Sequence, residues 1–279
     1  MPNPVKQNAD PTEREADPGA ESGRARASAF SRSITLLDII TAGTAFRFAE
    51  LQVQTGYPKA SLHRALADLI DERLVVFDEH ANTYRAGFRL LEWANRIWSR
   101  NDLRHLARDA LETLSERTGE TVMLSVLADT HVVHLDCVES AQSVRTSVSV
   151  GHRVPAWCTA AGKALLAAAP TPQREAIIER TAFARFTGNT VTEPGKVLEQ
   201  LHTVAAHGIA EDNEEHHVGI RCIAAPIVDC AGETVAAISV SAPTFRVEPG
   251  SFEQWRQWVR ESAHTVGNRL LPTGSAHLT

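Results

Sequence analysis

The chain has no apolar run approaching the ~20 residues that a bilayer-spanning helix needs. Its first 28 residues are mostly polar, Ala and Pro, without the apolar core of a signal peptide. Both absences lead to the expectation of a cytoplasmic protein with no membrane partner. Cysteine is scarce: Cys137, Cys158, Cys222 and Cys230 are the only four, and none sits in a CxxC pair. Neither a zinc knuckle nor a dithiol redox motif is signalled, so they read as free thiols in small core positions. Gly162-Lys163 lacks the preceding glycine and following Ser/Thr of a phosphate-binding loop. His131 and Asp136 have opposite strand parity, which separates them from a shared metal with His134. His216-His217 beside Glu214 and Glu215 reads as a solvated acidic loop rather than a metal cluster. No cofactor or metal is expected.

A basic excess is missing too. The net charge is −6, and between residues 30 and 100 basic and acidic groups nearly cancel. A protein that neutralises phosphates would have to gather its basic groups on one face.

What is present fits two domains and a connector: 279 residues, 43% hydrophobic and 22% charged. Residues 1–29, rich in Pro, Glu, Asp, Ala and Arg, read as a disordered tail. Arg24, Arg26 and Arg32 at its end form either a basic arm for a DNA groove or an ordinary solvated segment. Three short helices follow. Ser31 or Ser33 can cap the first, with Ile34, Leu37 and Ile40 at helical spacing and a stop at Gly43. The second runs from about Phe48 to Gln54, and the third from Pro58 to about Glu72. In the third, Leu62, Leu66, Leu69 and Ile70 form one apolar stripe, while Lys59, Ala60, His63, Arg64 and Ala67 occupy the opposite face. Two strands, Leu74–Phe77 and Thr83–Ala86, complete the layout of a winged helix-turn-helix over residues 30–87. Phe88 to about Arg117 is helical again; its start, residues 88–106, reads as a linker helix. Trp93 and Trp98 on it suit a seam against a second subunit and packing against the chain's own domain equally well.

The second half groups its strands and helices, which argues for an α+β domain over residues 107–272. Strands fit Thr121–Ala128, His131–Glu139, Ser143–Val150, Arg221–Val228 and Thr234–Ser241. Helices fit Thr159–Ala169, Pro172–Thr181, Pro194–His207 and Ser251–Leu271.

Several runs, taken in order, resemble the IclR-type transcriptional regulators. They are Thr55-Gly56-Tyr57-Pro58-Lys59-Ala60-Ser61-Leu62-His63-Arg64, Tyr84-Arg85-Ala86-Gly87, Thr118-Gly119-Glu120-Thr121-Val122, Ala160 to Ala167, and Gly219 to Ile227. The match spans about residues 30–270. The resemblance implies a winged helix domain, a dimerising linker helix and a C-terminal effector domain with a GAF/PAS-like sheet, assembled as homodimers or dimers of dimers. It implies a repressor or activator that binds a double-stranded DNA operator and answers to a small-molecule effector, an organic acid or aromatic metabolite among the candidates. Departures are Ala60, where a hydroxyl residue is common, and Tyr57, where Leu is usual.

For DNA contact the candidates are Lys59, Ser61, His63 and Arg64. Arg64 leads because its guanidinium fork suits guanine or phosphate alike. The resemblance places Ala160, Ala161, Asp212, Cys222, Ser239 and Ser241 around an effector. A helix start near Thr159 offers free amides to an anion, and the i, i+2 spacing of Ser239 and Ser241 puts both on one sheet face. Asp212 is ambiguous, because an ionised carboxylate repels an acidic ligand. Cys222 reads equally as an ordinary buried thiol. A competing reading makes Cys222 or Cys158 the nucleophile of an enzyme, which requires a lowered thiol pKa.

Overall fold

The computed structural model describes residues 28–99, 103–248 and 250–270. The tail, with Arg24 and Arg26, and the side chain of Trp98 lie outside the described residues. The chain divides into two compact units, with the division between Ile97 and Trp98.

The first unit holds α1 (Ala29–Ala42), α2 (Phe48–Thr55) and α3 (Lys59–Asp71), then the antiparallel hairpin β1 (Val75–Asp78) and β2 (Thr83–Ala86). Neither Ser31 nor Ser33 caps α1. Ser28 does, its Oγ accepting the Ser31 N–H at 3.0 Å and satisfying one of the amides that a helix start leaves free. Gly56 ends α2 in the left-handed region at φ 66°, where a side chain would be strained. Pro58 stands at the cap of α3 rather than in its first turn. The expected stripe is the core: Leu62, Leu66 and Leu69 are buried with Leu36, Ile40, Leu51 and Val75, and Ile70 is half-buried beside them. Tyr84 on β2 also exchanges backbone hydrogen bonds with Phe46, at 2.7 and 3.0 Å, which ties the wing to the segment before α2. At the wing tip Asp78 accepts the N–H groups of His80 and Ala81, closing the turn.

The expected helical stretch from Phe88 to Arg117 is two helices, α4 (Phe88–Ser99) and α5 (Leu103–Thr118), with residues 100–102 outside the description. The second unit is built on a six-stranded antiparallel sheet ordered β5-β4-β3-β8-β7-β6. Its strands are β3 (Thr121–Ala128), β4 (His131–Val138), β5 (Arg153–Pro155), β6 (Ala210–Asn213), β7 (Ile220–Val228) and β8 (Thr234–Pro243). The helices are α6 (Ala160–Ala168), α7 (Thr171–Arg180), α8 (Pro194–His207) and α9 (Ser251–Gly267).

Strand parity sorts the side chains into two layers. Val122, Leu124, Ile223, Ala225, Ile238 and Val240 join the cluster that contains residues of α5 and α9. Ala224 and Ala237, one residue out of phase, join the cluster with α6, α7 and α8. The two short strands β5 and β6 were not expected. Conversely, Ser143–Val150 is not a strand. It pairs with no strand of the sheet; Thr121 of β3 instead holds it through a side chain, its hydroxyl donating to the Thr146 carbonyl at 2.8 Å. Its alternation is nonetheless real: Thr146 and Val148 are half-buried while their neighbours are exposed. The period-two pattern marks a cover over the sheet.

Candidate functional site

The exposed face of α3 carries Lys59, Ala60, His63, Arg64 and Ala67, opposite the buried leucines. Pro58 gives α3 no side-chain cap, which leaves the first amides of the helix available beside Lys59. His63 is exposed but stacked on Phe48, ring centroids 4.2 Å apart, so its orientation is held. Ser61 is half-buried and, with Arg64, lines a groove of about 190 Å³ that Arg32 of α1 and Asp68 share. Arg32 is thus a basic group beside the recognition face.

The second unit contains a cavity of about 130 Å³ under the α6 start. All six expected effector positions line it: Ala160, Ala161, Asp212, Cys222, Ser239 and Ser241. Register explains why. Asp212 on β6 is opposite Cys222 on β7, Cys222 is opposite Ser241 on β8, and Ser241 is opposite Thr121 on β3. Ser239 sits in the next row between Ala224 and Met123. The helix comes close because residue 162 is glycine; a Cβ there would lie 2.1 Å from the Ala156 carbonyl oxygen. Thr159 spends its hydroxyl on the Pro155 carbonyl at 2.7 Å rather than capping α6, so the first amides of the helix stay open toward the cavity.

The polar groups fall into two classes. Cys222 Sγ donates to Ser241 Oγ at 3.2 Å, and Ser241 Oγ donates to Thr146 Oγ1 at 3.1 Å, linking the floor to the covering segment. Ser239 Oγ, fully buried, has no hydrogen-bond partner among the described residues. A buried hydroxyl without a partner costs free energy that a ligand group can recover. Burial pushes the Asp212 carboxyl up to about 6, and the Cys222 thiol up to about 12. Burial likewise raises Cys158 to about 12. These thiols are protonated at neutral pH and are poor nucleophiles.

The segment around His216 is not a solvated acidic loop. Glu215 is buried and ion-paired to the buried Lys163 at 2.5 Å. Asp212 Oδ1 accepts the Glu215 N–H at 2.7 Å, and the Thr190 hydroxyl donates to the Glu215 carbonyl at 2.6 Å. Phe186 packs edge-on against His216 at 5.0 Å. The result is a fixed cavity wall, built on a buried ion pair. Four histidines line the cavity, His134, His152, His216 and His217, along with Met123 and Thr146. None of these was expected as a site residue; the His216-His217 doublet was the one sequence signal. Burial, then the neighbouring His152, lowers His134 to about 4. His216 is lowered to about 4 by burial, then by His217, His152 and His134. Among the described residues no three His, Cys, Asp or Glu side chains converge to hold a metal ion. Asp136, weighed with His131 and His134, is instead paired to Arg104 and Arg108, each at 3.3 Å.

A winged helix with a basic recognition face, on the same chain as an α+β domain with a polar ligand-sized cavity, defines a ligand-responsive DNA-binding regulator. Comparison narrows the class. Residues 29–79 match the IclR helix-turn-helix domain, and residues 95–268 match the bacterial transcriptional regulator IclR C-terminal domain. The chain belongs to the IclR family of transcriptional regulators. It is similar to the HTH-type transcriptional regulator BhcR of Paracoccus denitrificans, 32% identical over 98% of this chain and 97% of that protein. It is also similar to the HTH-type transcriptional repressor AllR of Escherichia coli, 28% identical over 92% and 94%. Among solved structures, Thermotoga maritima IclR superposes with TM-score 0.69 at 26% identity, covering 86% of this chain and 98% of that one. An IclR homologue of Microbacterium hydrocarbonoxydans, solved with 4-hydroxybenzoate, superposes with TM-score 0.73 at 24% identity, covering 86% and 98%. The family and its relatives are regulators, not enzymes, in keeping with thiols held protonated.

Proposed function

We propose that this regulator reads its operator through Lys59, Ser61, His63 and Arg64 and takes a small organic ligand in the cavity bounded by Ala160, Ala161, Asp212, Cys222, Ser239 and Ser241. It works in the cytoplasm, where its operator lies. The observation that carries the effector half is Ser239: a fully buried hydroxyl without a partner, beside helix amides left open by Thr159. The aromatic acid held by the Microbacterium homologue is the kind of molecule such donors suit. Arg64 reads a base edge, and Lys59 at the helix start holds a phosphate.

The domain scheme proposed is a winged helix over residues 30–87, a linker over 88–106 and an effector domain over 107–272. The assembly proposed is a homodimer, or a dimer of dimers. On α4, Phe88 and Leu91, one turn apart on the same side of the helix, are 82% and 57% exposed, an apolar face that a second copy would cover. Two heads double the basic recognition surface, which offsets the weak charge of one.

Operator titrations with native protein and Arg64→Ala test this reading. A loss of about 1–3 kcal/mol on specific DNA is expected, with a smaller effect on randomised DNA. Unchanged specific affinity removes Arg64 from recognition.

A further inference from the structure

We propose that an organic acid bound in the cavity has its charge balanced by protons taken up on His134 and His216 as it binds. This rests on the effector reading above, which includes an organic acid, and adds the groups that neutralise it and a pH dependence.

Among the described residues no Lys or Arg lines the cavity. The nearest cation, Lys163, is committed to Glu215 at 2.5 Å. Open amides and Ser239 Oγ supply dipoles but no full positive charge. Among the described residues that line it, the groups able to supply one are the imidazoles, which reach the cavity from β4 (His134), the segment before β5 (His152) and the β6–β7 connection (His216 and His217). They are close to one another: the His134 and His152 rings are 6.3 Å apart, and the His216 and His217 rings 4.0 Å. His134 is fixed by a 2.9 Å hydrogen bond between its Nδ1 and Ser125 Oγ of β3. Without a ligand, burial and mutual repulsion keep His134 and His216 neutral, both lowered to about 4. An anion among them reverses that balance.

The other charges facing these rings act in the same direction or are spent. Asp212 of β6 would repel an anion when ionised, but its carboxyl, raised to about 6, also gains a proton on acidification. Lys163 and Glu215 neutralise each other. Since the complex holds more protons than the free protein, affinity rises as pH falls from about 8 toward 5. A cationic ligand would show the opposite slope. The volume, about 130 Å³, is near that of cavities that accept benzene, so the acid has about six to ten non-hydrogen atoms.

The test is calorimetric titration of the full chain with lactate, benzoate and 4-hydroxybenzoate, and with lactamide, benzamide and 4-hydroxybenzamide. It is run from about pH 5.5 to 8 in buffers of differing ionisation enthalpy. At least one acid should bind with net uptake of about one proton, its affinity rising about tenfold per pH unit over the steepest part. In the double variant His134→Gln/His216→Gln that rise should shrink to less than about threefold over the range. Should this variant not fold, the proton count in native protein decides alone. Acid binding without proton uptake, uptake undiminished in the folded variant, or binding of the amides alone each overturns the inference and leaves the effector cavity standing. If neither acids nor amides bind, the cavity reading and the inference fall together.

Discussion

Ser239 and the two lowered histidines show how single side chains carry this account. For His134 and His216 the folded pKa of about 4 lies below the ordinary 6.5. The unfolded chain therefore binds more protons between those values. Their contribution to stability is complete above pH 6.5 and is lost as pH falls through 4. Asp212, raised to about 6, runs the other way and offsets part of this. Urea midpoints should fall between about pH 6.5 and 4.5, and fall less in His134→Gln/His216→Gln; equal slopes would show that the rings are not held neutral by the fold. At this scale the exposed face of α3 was legible, because a 3.6-residue period separates its leucines from Lys59, His63 and Arg64. Ser239 and Ser241 were legible through their i, i+2 spacing together with the family resemblance. The histidines were not. They arrive from separate segments, and no local period marks a residue whose neighbours are distant in the chain.

Among the elements, α6 is the one that makes the cavity. Its start is pressed on Ala156 through Gly162, with 2.1 Å between a would-be Cβ and a backbone oxygen that cannot swing aside. Gly162→Val should cost about 1–3 kcal/mol by overpacking, read as a lowered urea midpoint, and should blunt the effector response. A variant as stable as native protein would show that α6 is free to shift. The covering segment 143–150 teaches a different lesson. Its alternation fits a strand, yet it pairs with no strand of the sheet, and Thr146 and Val148 are half-buried where they line the cavity. Periodicity reports which side chains face inward, not whether the backbone finds a partner. The short strands β5 and β6 were hidden for the converse reason: three or four residues are too few to show a period.

For the whole molecule, function requires the two units to share one equilibrium. A ligand changes operator affinity only by its differential affinity for the chain's DNA-competent and DNA-incompetent states. If α4 joins two copies, charging its apolar face should separate them: Phe88→Asp with Leu91→Asp is expected to yield monomers in sedimentation analysis and to weaken operator binding. A native-sized assembly from that variant would place the dimer contact elsewhere. The broad plan of winged helix, linker helix and α+β effector domain was readable in the sequence, since each part has its own periodicity and punctuation. The histidine cluster was not, because His134, His152, His216 and His217 meet only in the folded cavity.

The most direct test of the central claim is operator affinity of the full chain, measured by fluorescence anisotropy with and without a bound small carboxylate at about pH 6.5. The account predicts that the acid shifts operator affinity by about five- to 150-fold, and that Ser239→Ala, which removes the unpartnered hydroxyl without unfolding the sheet, needs more acid for the same shift. Specific operator binding that no concentration of a cavity-bound acid alters would contradict it.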